Sequence, residues 1–161
     1  MSSAGSHTSD SRGRVDGTGV RVAVLVARFN ADITERLLDG ARACLREHGA
    51  SHVDVYHVPG AWELPQAAAM VLAQGRHDAL VALGCVIRGE TPHFDYVCAE
   101  ASRGLGVVAR GSRAPVAFGV LTTDTHEQAL ARAAEGPSNK GYEAAISVLQ
   151  MVDLYRSLED R

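Results

Sequence analysis

The sequence has 161 residues, with 16 Lys and Arg against 19 Asp and Glu, for a formal net charge of −3. That length suits one domain, and the acidic balance argues against general nucleic-acid binding, which needs a basic surface to displace phosphate counterions. With 46% hydrophobic and 22% charged residues the chain reads as globular, and no apolar run reaches the roughly 18 residues that span a bilayer.

The opening segment, residues 1–19, is rich in Ser and Gly, lacks a periodic apolar face and lacks the apolar stretch of a secretory signal. It reads as a flexible arm whose end docks on another subunit, ahead of one α/β domain over 20–161. Residues 20–26 form a short β-branched run, suited to a strand covered on both faces. Asn30 stands as N-cap of a helix whose stripe is Ile33, Leu37, Leu38, Ala41 and Leu45, closed by Gly49. Residues 52–58 read as a second strand, stopped by Pro59-Gly60, and 64–74 as an Ala-rich helix. A third, wholly apolar strand covers 79–87. The polar turn Arg88-Gly-Glu-Thr-Pro92 feeds a helix with Val97, Ala101, Leu105 and Val108 on one face. Residues 116–121 read as a fourth strand, Thr125 to Gln128 as a capping box, and 140–158 as a last helix.

This alternation predicts a three-layer α/β/α sandwich around a four-stranded parallel sheet, flavodoxin-like in outline. Ligands of such sheets sit beyond the carboxyl ends of the strands. The chain has only three Phe and one Trp, and Phe29 and Trp62 both fall just after strands. Each is a rim packer or a stacking platform; together they favour a planar heteroaromatic ligand. Gly60-Ala61 permits close backbone approach. Glu63 is either an acid in a first helical turn or a carboxylate accepting hydrogen bonds from a polyol or amide. The turn at 88–92 opens a helix whose free N–H groups make an anion site, with the Thr91 hydroxyl as a further donor and Glu90 turned away. His93, beside that turn, is a proton donor and acceptor or a plain first-turn residue. Arg132 and Lys140, the only lysine, bracket a Gly-Pro loop and suit either a phosphate or surface ion pairs. The other histidines show no metal-ligand spacing and no His/Asp cluster, so no metal is expected. Three cysteines without a CxxC fit three small buried thiols in a reducing cytoplasm.

Taken together and in order, ARFN (27–30), VPGAWELP (58–65), ALGCVIRGETPHFDYVC (82–98), VAFGVLTTDTHEQALARA (116–133) and NKGYEAA (139–145) resemble the 6,7-dimethyl-8-ribityllumazine synthases. The resemblance runs from Val20 to about Leu158. It implies condensation of 5-amino-6-(D-ribitylamino)uracil with 3,4-dihydroxy-2-butanone 4-phosphate in riboflavin biosynthesis, with no cofactor. It implies that Phe29 stacks on the pyrimidine. Ala61, Trp62 and Glu63, with Cys85, Val86 and Ile87, would hold the ring and ribityl chain, and Phe118 would contact them from a neighbouring subunit. Glu90, Thr91 and Arg132 would bind the phosphate, His93 would shuttle protons, and Asn30 and Lys140 would be accessory. As partners it implies the small-molecule substrates and a homopentamer. It leaves open an icosahedral shell of twelve pentamers and an association with riboflavin synthase. Trp62 and Glu90 depart from the residues frequent at those places, and Pro137 departs from the usual glycine-rich loop. A non-catalytic flavin or lumazine carrier or cage on the same fold, and a flavodoxin-like electron carrier, are the rival readings. The carrier would not need His93, Arg132 and Lys140, and the first strand lacks the phosphate loop of the electron carrier.

Overall fold

The computed structural model describes residues 5–160. Four strands, β1 (Arg21–Ala27), β2 (His52–Val58), β3 (Ala79–Ile87) and β4 (Val116–Thr123), form one parallel sheet in the order β2-β1-β3-β4. Five helices connect and cover them: α1 (Ala31–Glu47), α2 (Leu64–Ala73), α3 (His93–Gly111), α4 (His126–Arg132) and α5 (Lys140–Glu159). The predicted α/β sandwich is the observed fold.

β1 explains the layering. Side chains alternate across a strand, and here both faces are covered. Val22, Val24 and Val26 enter a core with Ile33, Leu37 and Leu45 of α1 and Val148 and Leu149 of α5. Ala23, Leu25 and Ala27 enter a second core with Leu64 and Ala68 of α2 and Ala101 and Leu105 of α3. Hence the strand reads as a continuous apolar run.

Several boundaries differ from the sequence reading. β1 sits one residue later than the apolar run. β4 runs on to Thr123, because Val86↔Thr122 and Ile87↔Thr123 extend its pairing with β3 beyond the apolar pattern. A 3-10 turn, Ala61–Glu63, precedes α2, with the Glu63 N–H donating to Gly60 O at 3.2 Å. Asn30 holds the N-cap position of α1, but in the left-handed region (φ 61°, ψ 48°), and its side chain does not cap the helix. Instead its Nδ2 donates to Cys85 O at 2.9 Å, tying the ends of β1 and β3 together. The Thr125–Gln128 capping box forms as its spacing predicts.

Residues 1–4 of the expected arm lie outside the described residues. Further along, the Arg14 N–H donates to Asp153 Oδ2 at 2.8 Å, and the Gly17 N–H donates to His48 O at 2.7 Å. Val15 packs on the α1/α5 core. The last turn of the arm is therefore fastened to its own domain.

Asn139, which sequence spacing does not single out, fixes the α4–α5 connection. It is 2% exposed and uses both ends of its amide. Oδ1 accepts from the Gly141 and Tyr142 N–H groups, while Nδ2 donates to Arg36 O and Ala133 O, each at 3.1 Å. At Gly141 α5 lies so close to α1 that a Cβ there would strike the Leu37 carbonyl. No helix among the described residues is long and apolar enough to cross a membrane.

Candidate functional site

The carboxyl ends of β1, β2 and β3 open into a cleft of about 790 Å³. That volume lies within the usual range of small-molecule sites. Its rim carries Phe29 and Trp62, which are 72% and 51% exposed. Two aromatic faces left in solvent at one sheet edge are costly unless something flat covers them. Phe29 is placed there by strand pairing that continues past β1: the Arg28 N–H donates to Val58 O at 2.8 Å and the Phe29 N–H to Pro59 O at 3.0 Å. Ala61 and Glu63 stand on the wall beside Trp62. Cys85, Val86 and Ile87 form the floor where β3 ends. The Cys85 thiol is buried, and burial, helped by the Asp32 charge, pushes its pKa up to about 11. It is a neutral wall group at physiological pH, not a nucleophile.

The turn after β3 closes the far end. Gly89, Thr91 and His93 line the cleft. Pro92 is the N-cap of α3 (φ −70°, ψ 4°) rather than a residue inside its first turn, and His93 is the first helical residue. The amino end of α3 therefore faces the cleft with its uncommitted N–H groups. Glu90 is exposed on this turn and does not line the cleft. Arg88 is held elsewhere. Its Nε donates to Asp124 Oδ1 at 2.8 Å, an Nη lies 3.6 Å from Asp95 Oδ1, and its guanidinium stacks 4.4 Å from the Phe94 ring centre. It braces the turn between α3 and the end of β4.

Phe118, Arg132 and Lys140 are elsewhere. They line a separate cleft of about 320 Å³ on the open edge of β4 against α5. Phe118 is 48% exposed there. Lys140 Nζ donates to Glu143 Oε2 at 2.7 Å, and Arg132 Nη1 donates to Gln128 O at 3.1 Å. Arg132 also borders a recess shared with Arg88, Phe94 and Asp124, so it stands between the outer cleft and the turn at 88–92. One chain thus carries an aromatic cleft and, apart from it, a cationic cleft.

Sequence reasoning missed Phe94 and Tyr96, which also line the large cleft. Their signal was present, since the turn placed that helix start at the strand ends. It also missed the Arg88–Asp124 brace, which links residues 36 apart. Cys98 is only partly buried, unlike the buried Cys44 and Cys85, so the expectation of three buried thiols holds for two. The expectation that no His/Asp cluster forms is corrected: His52, Asp54 and His77 bring one donor atom each within 4.8 Å of one another. β2 supplies the first two and the loop before β3 the third, a juxtaposition invisible in linear spacing.

The model of the 6,7-dimethyl-8-ribityllumazine synthase family matches residues 19–156. A 6,7-dimethyl-8-ribityllumazine synthase from Chlorobium phaeobacteroides (strain DSM 266 / SMG 266 / 2430) is 51% identical over 146 residues, covering 89% of this chain and 94% of that protein.

Proposed function

This chain belongs to the 6,7-dimethyl-8-ribityllumazine synthase family, and from that premise we propose how its residues share the family's reaction. Its function is lumazine synthesis in riboflavin biosynthesis. The aminouracil ring lies in the large cleft against Phe29, with Trp62 at the rim. Ala61, Glu63 and Cys85 to Ile87 hold the ring and ribityl chain. The butanone phosphate group sits on the turn at 88–92, using the backbone around Glu90, the Thr91 hydroxyl and the amino end of α3, with Arg132 closing over it. Asn30 acts by holding the floor of the cleft through Cys85 O.

The chemistry asks little beyond placement and proton movement. The aryl amine of the uracil attacks the ketone and water leaves to give an imine. Phosphate is eliminated, the resulting enol tautomerises to a carbonyl, and the second amine adds to that carbonyl and loses a second water to close the ring. Holding both reactants together supplies up to about 7–11 kcal/mol of the barrier reduction. His93, at the mouth of the anion site, takes and returns the protons, which contributes roughly 10²–10⁴-fold.

The observation that carries this reading is the division of the site residues between two clefts. Phe118 lines a different cleft from Phe29 in its own chain, so on this reading it reaches a ring from a neighbour. We take the assembly as a homopentamer in which the outer cleft of one subunit completes the aromatic cleft of the next. A shell of twelve pentamers and a riboflavin synthase partner are further steps on the same reading. So are a cytoplasmic location and the division into an arm (1–19) and one domain (20–161). The mixing test uses His93→Ala and Phe118→Asp, each nearly inactive alone. Reassembled together in equal amounts, they are expected to recover about a quarter of wild-type product fluorescence, because a quarter of shared sites draw both intact residues. Activity that stays at the parental level overturns the shared site.

A further inference from the structure

At the amino ends of the strands, opposite the substrate cleft, we infer a divalent transition-metal site formed by His52, Asp54 and His77. His52 and Asp54 are two residues apart on β2 and so project from the same face of the sheet. His52 Nε2 lies 3.2 Å from Asp54 Oδ2. His77 comes from the loop before β3, and its Nε2 lies 2.7 Å from the same carboxylate oxygen. All three donor atoms fall within 4.8 Å of one another.

The histidine that reaches furthest in sequence is also the most firmly held. Its side chain is only 2% exposed, whereas those of Asp54 and His52 are 44% and 56% exposed. The Tyr56 ring packs edge-on against it at 6.2 Å. The next residue, Asp78, is locked to the start of β1: its N–H donates to Arg21 O at 2.7 Å, and its Oδ2 accepts the Arg21 N–H at 2.9 Å. Arg21 is in turn the register partner of His52. The backbone therefore fixes one imidazole in place and aims it at two adjustable ligands.

The donor set selects the ion. Two imidazoles and one carboxylate suit zinc and its neighbours, whereas magnesium and calcium require mostly oxygen. Metal–nitrogen and metal–oxygen bonds of roughly 2.0–2.2 Å place tetrahedral donors about 3.3 Å apart. The His52–Asp54 separation already matches. The His77–Asp54 contact is a hydrogen bond whose proton the ion replaces, and the half-exposed Asp54 side chain opens by the roughly 0.6 Å needed. Three protein ligands leave a fourth position to water. His77 Nδ1 is buried without a partner, so the site lacks the second carboxylate or carbonyl that braces high-affinity metal histidines, and its affinity is correspondingly moderate.

The test is a Co²⁺ titration of the untagged full chain, read by visible ligand-field absorption and by thermal denaturation. The expected result is saturation at one Co²⁺ per chain, with a rise in Tm that grows with free Co²⁺. His52→Ala and Asp54→Asn, both at half-exposed positions, each weaken binding by at least about tenfold and shrink the Tm shift at the same free Co²⁺. Excess Mg²⁺ leaves the Co²⁺ spectrum unchanged. No saturable equivalent, unchanged affinity in the His52→Ala/Asp54→Asn double variant, or displacement by Mg²⁺ overturns the assignment.

Discussion

The two clefts at the carboxyl side of the sheet differ in material. The large one, at the ends of β1 to β3, is walled by aromatic and aliphatic groups and by a buried, protonated thiol. The outer one, between β4 and α5, is lined by Arg132, Lys140 and Glu143, with Phe118 as its aromatic member. Strand ends and a 3-10 turn supply the walls of the large cleft. The outer cleft depends on how α5 docks, and its lysine already has a partner at 2.7 Å. The larger cleft thus offers mostly apolar surface, while the outer one presents charged side chains.

If the clefts divide the work in this way, their variants separate in kinetics. His93→Ala is expected to lower kcat by about 10²–10⁴-fold, with smaller changes in KM for either substrate. A wild-type rate in that variant removes the proton-transfer role. Arg132→Ala removes charge-assisted hydrogen bonds worth about 1.5–3 kcal/mol. That predicts a rise in KM for the phosphate substrate of roughly tenfold to a hundredfold and little change for the aminouracil. Steady-state kinetics with each substrate varied in turn decides it; equal effects on both substrates would erase the distinction between the clefts.

The fold was legible because its two central strands are covered on both faces, so Val20 to Val26 and Ala79 to Ile87 stand out as apolar runs between helical stripes. Boundaries failed where hydrogen bonding outran the apolar pattern, as at Thr122 and Thr123. Much of the candidate site was legible by position, since Phe29, Trp62 and His93 all follow strands that end on one edge. Its division into two clefts was not, because nothing in the spacing of Phe118 tells which way the open edge of β4 faces. Asn30, Asn139 and the His52–Asp54–His77 group were opaque for a related reason. Each depends in part on a partner remote in sequence: Cys85 O for Asn30, Arg36 O for Asn139 and Asp54 for His77.

A structural variant tests the dependence of the outer cleft on α5. Gly141→Ala puts a Cβ against the Leu37 carbonyl at the residue after Lys140. Overpacking of this kind costs about 1–3 kcal/mol. For a chain of this size each kcal/mol corresponds to roughly 2–4 °C in Tm. Scanning calorimetry should show that loss. KM for the phosphate substrate should rise while binding of the aminouracil, read by fluorescence quenching, stays near wild type. An equal loss of both would mean that the large cleft also depends on the α1–α5 contact.

The smallest effect belongs to Cys85. Its carbonyl, not its thiol, makes the structural hydrogen bond to Asn30, and its pKa near 11 keeps the sulfur protonated throughout the working pH range. Cys85→Ala is therefore expected to leave the shape of the pH–rate profile unchanged and to alter kcat only slightly. Thiol alkylation at mildly alkaline pH should reach the partly buried Cys98 first, even though burial also raises the pKa of that thiol. A limb of the pH profile that vanishes in Cys85→Ala would show a thiolate taking part, and the large cleft would then be a reactive wall instead of a passive one.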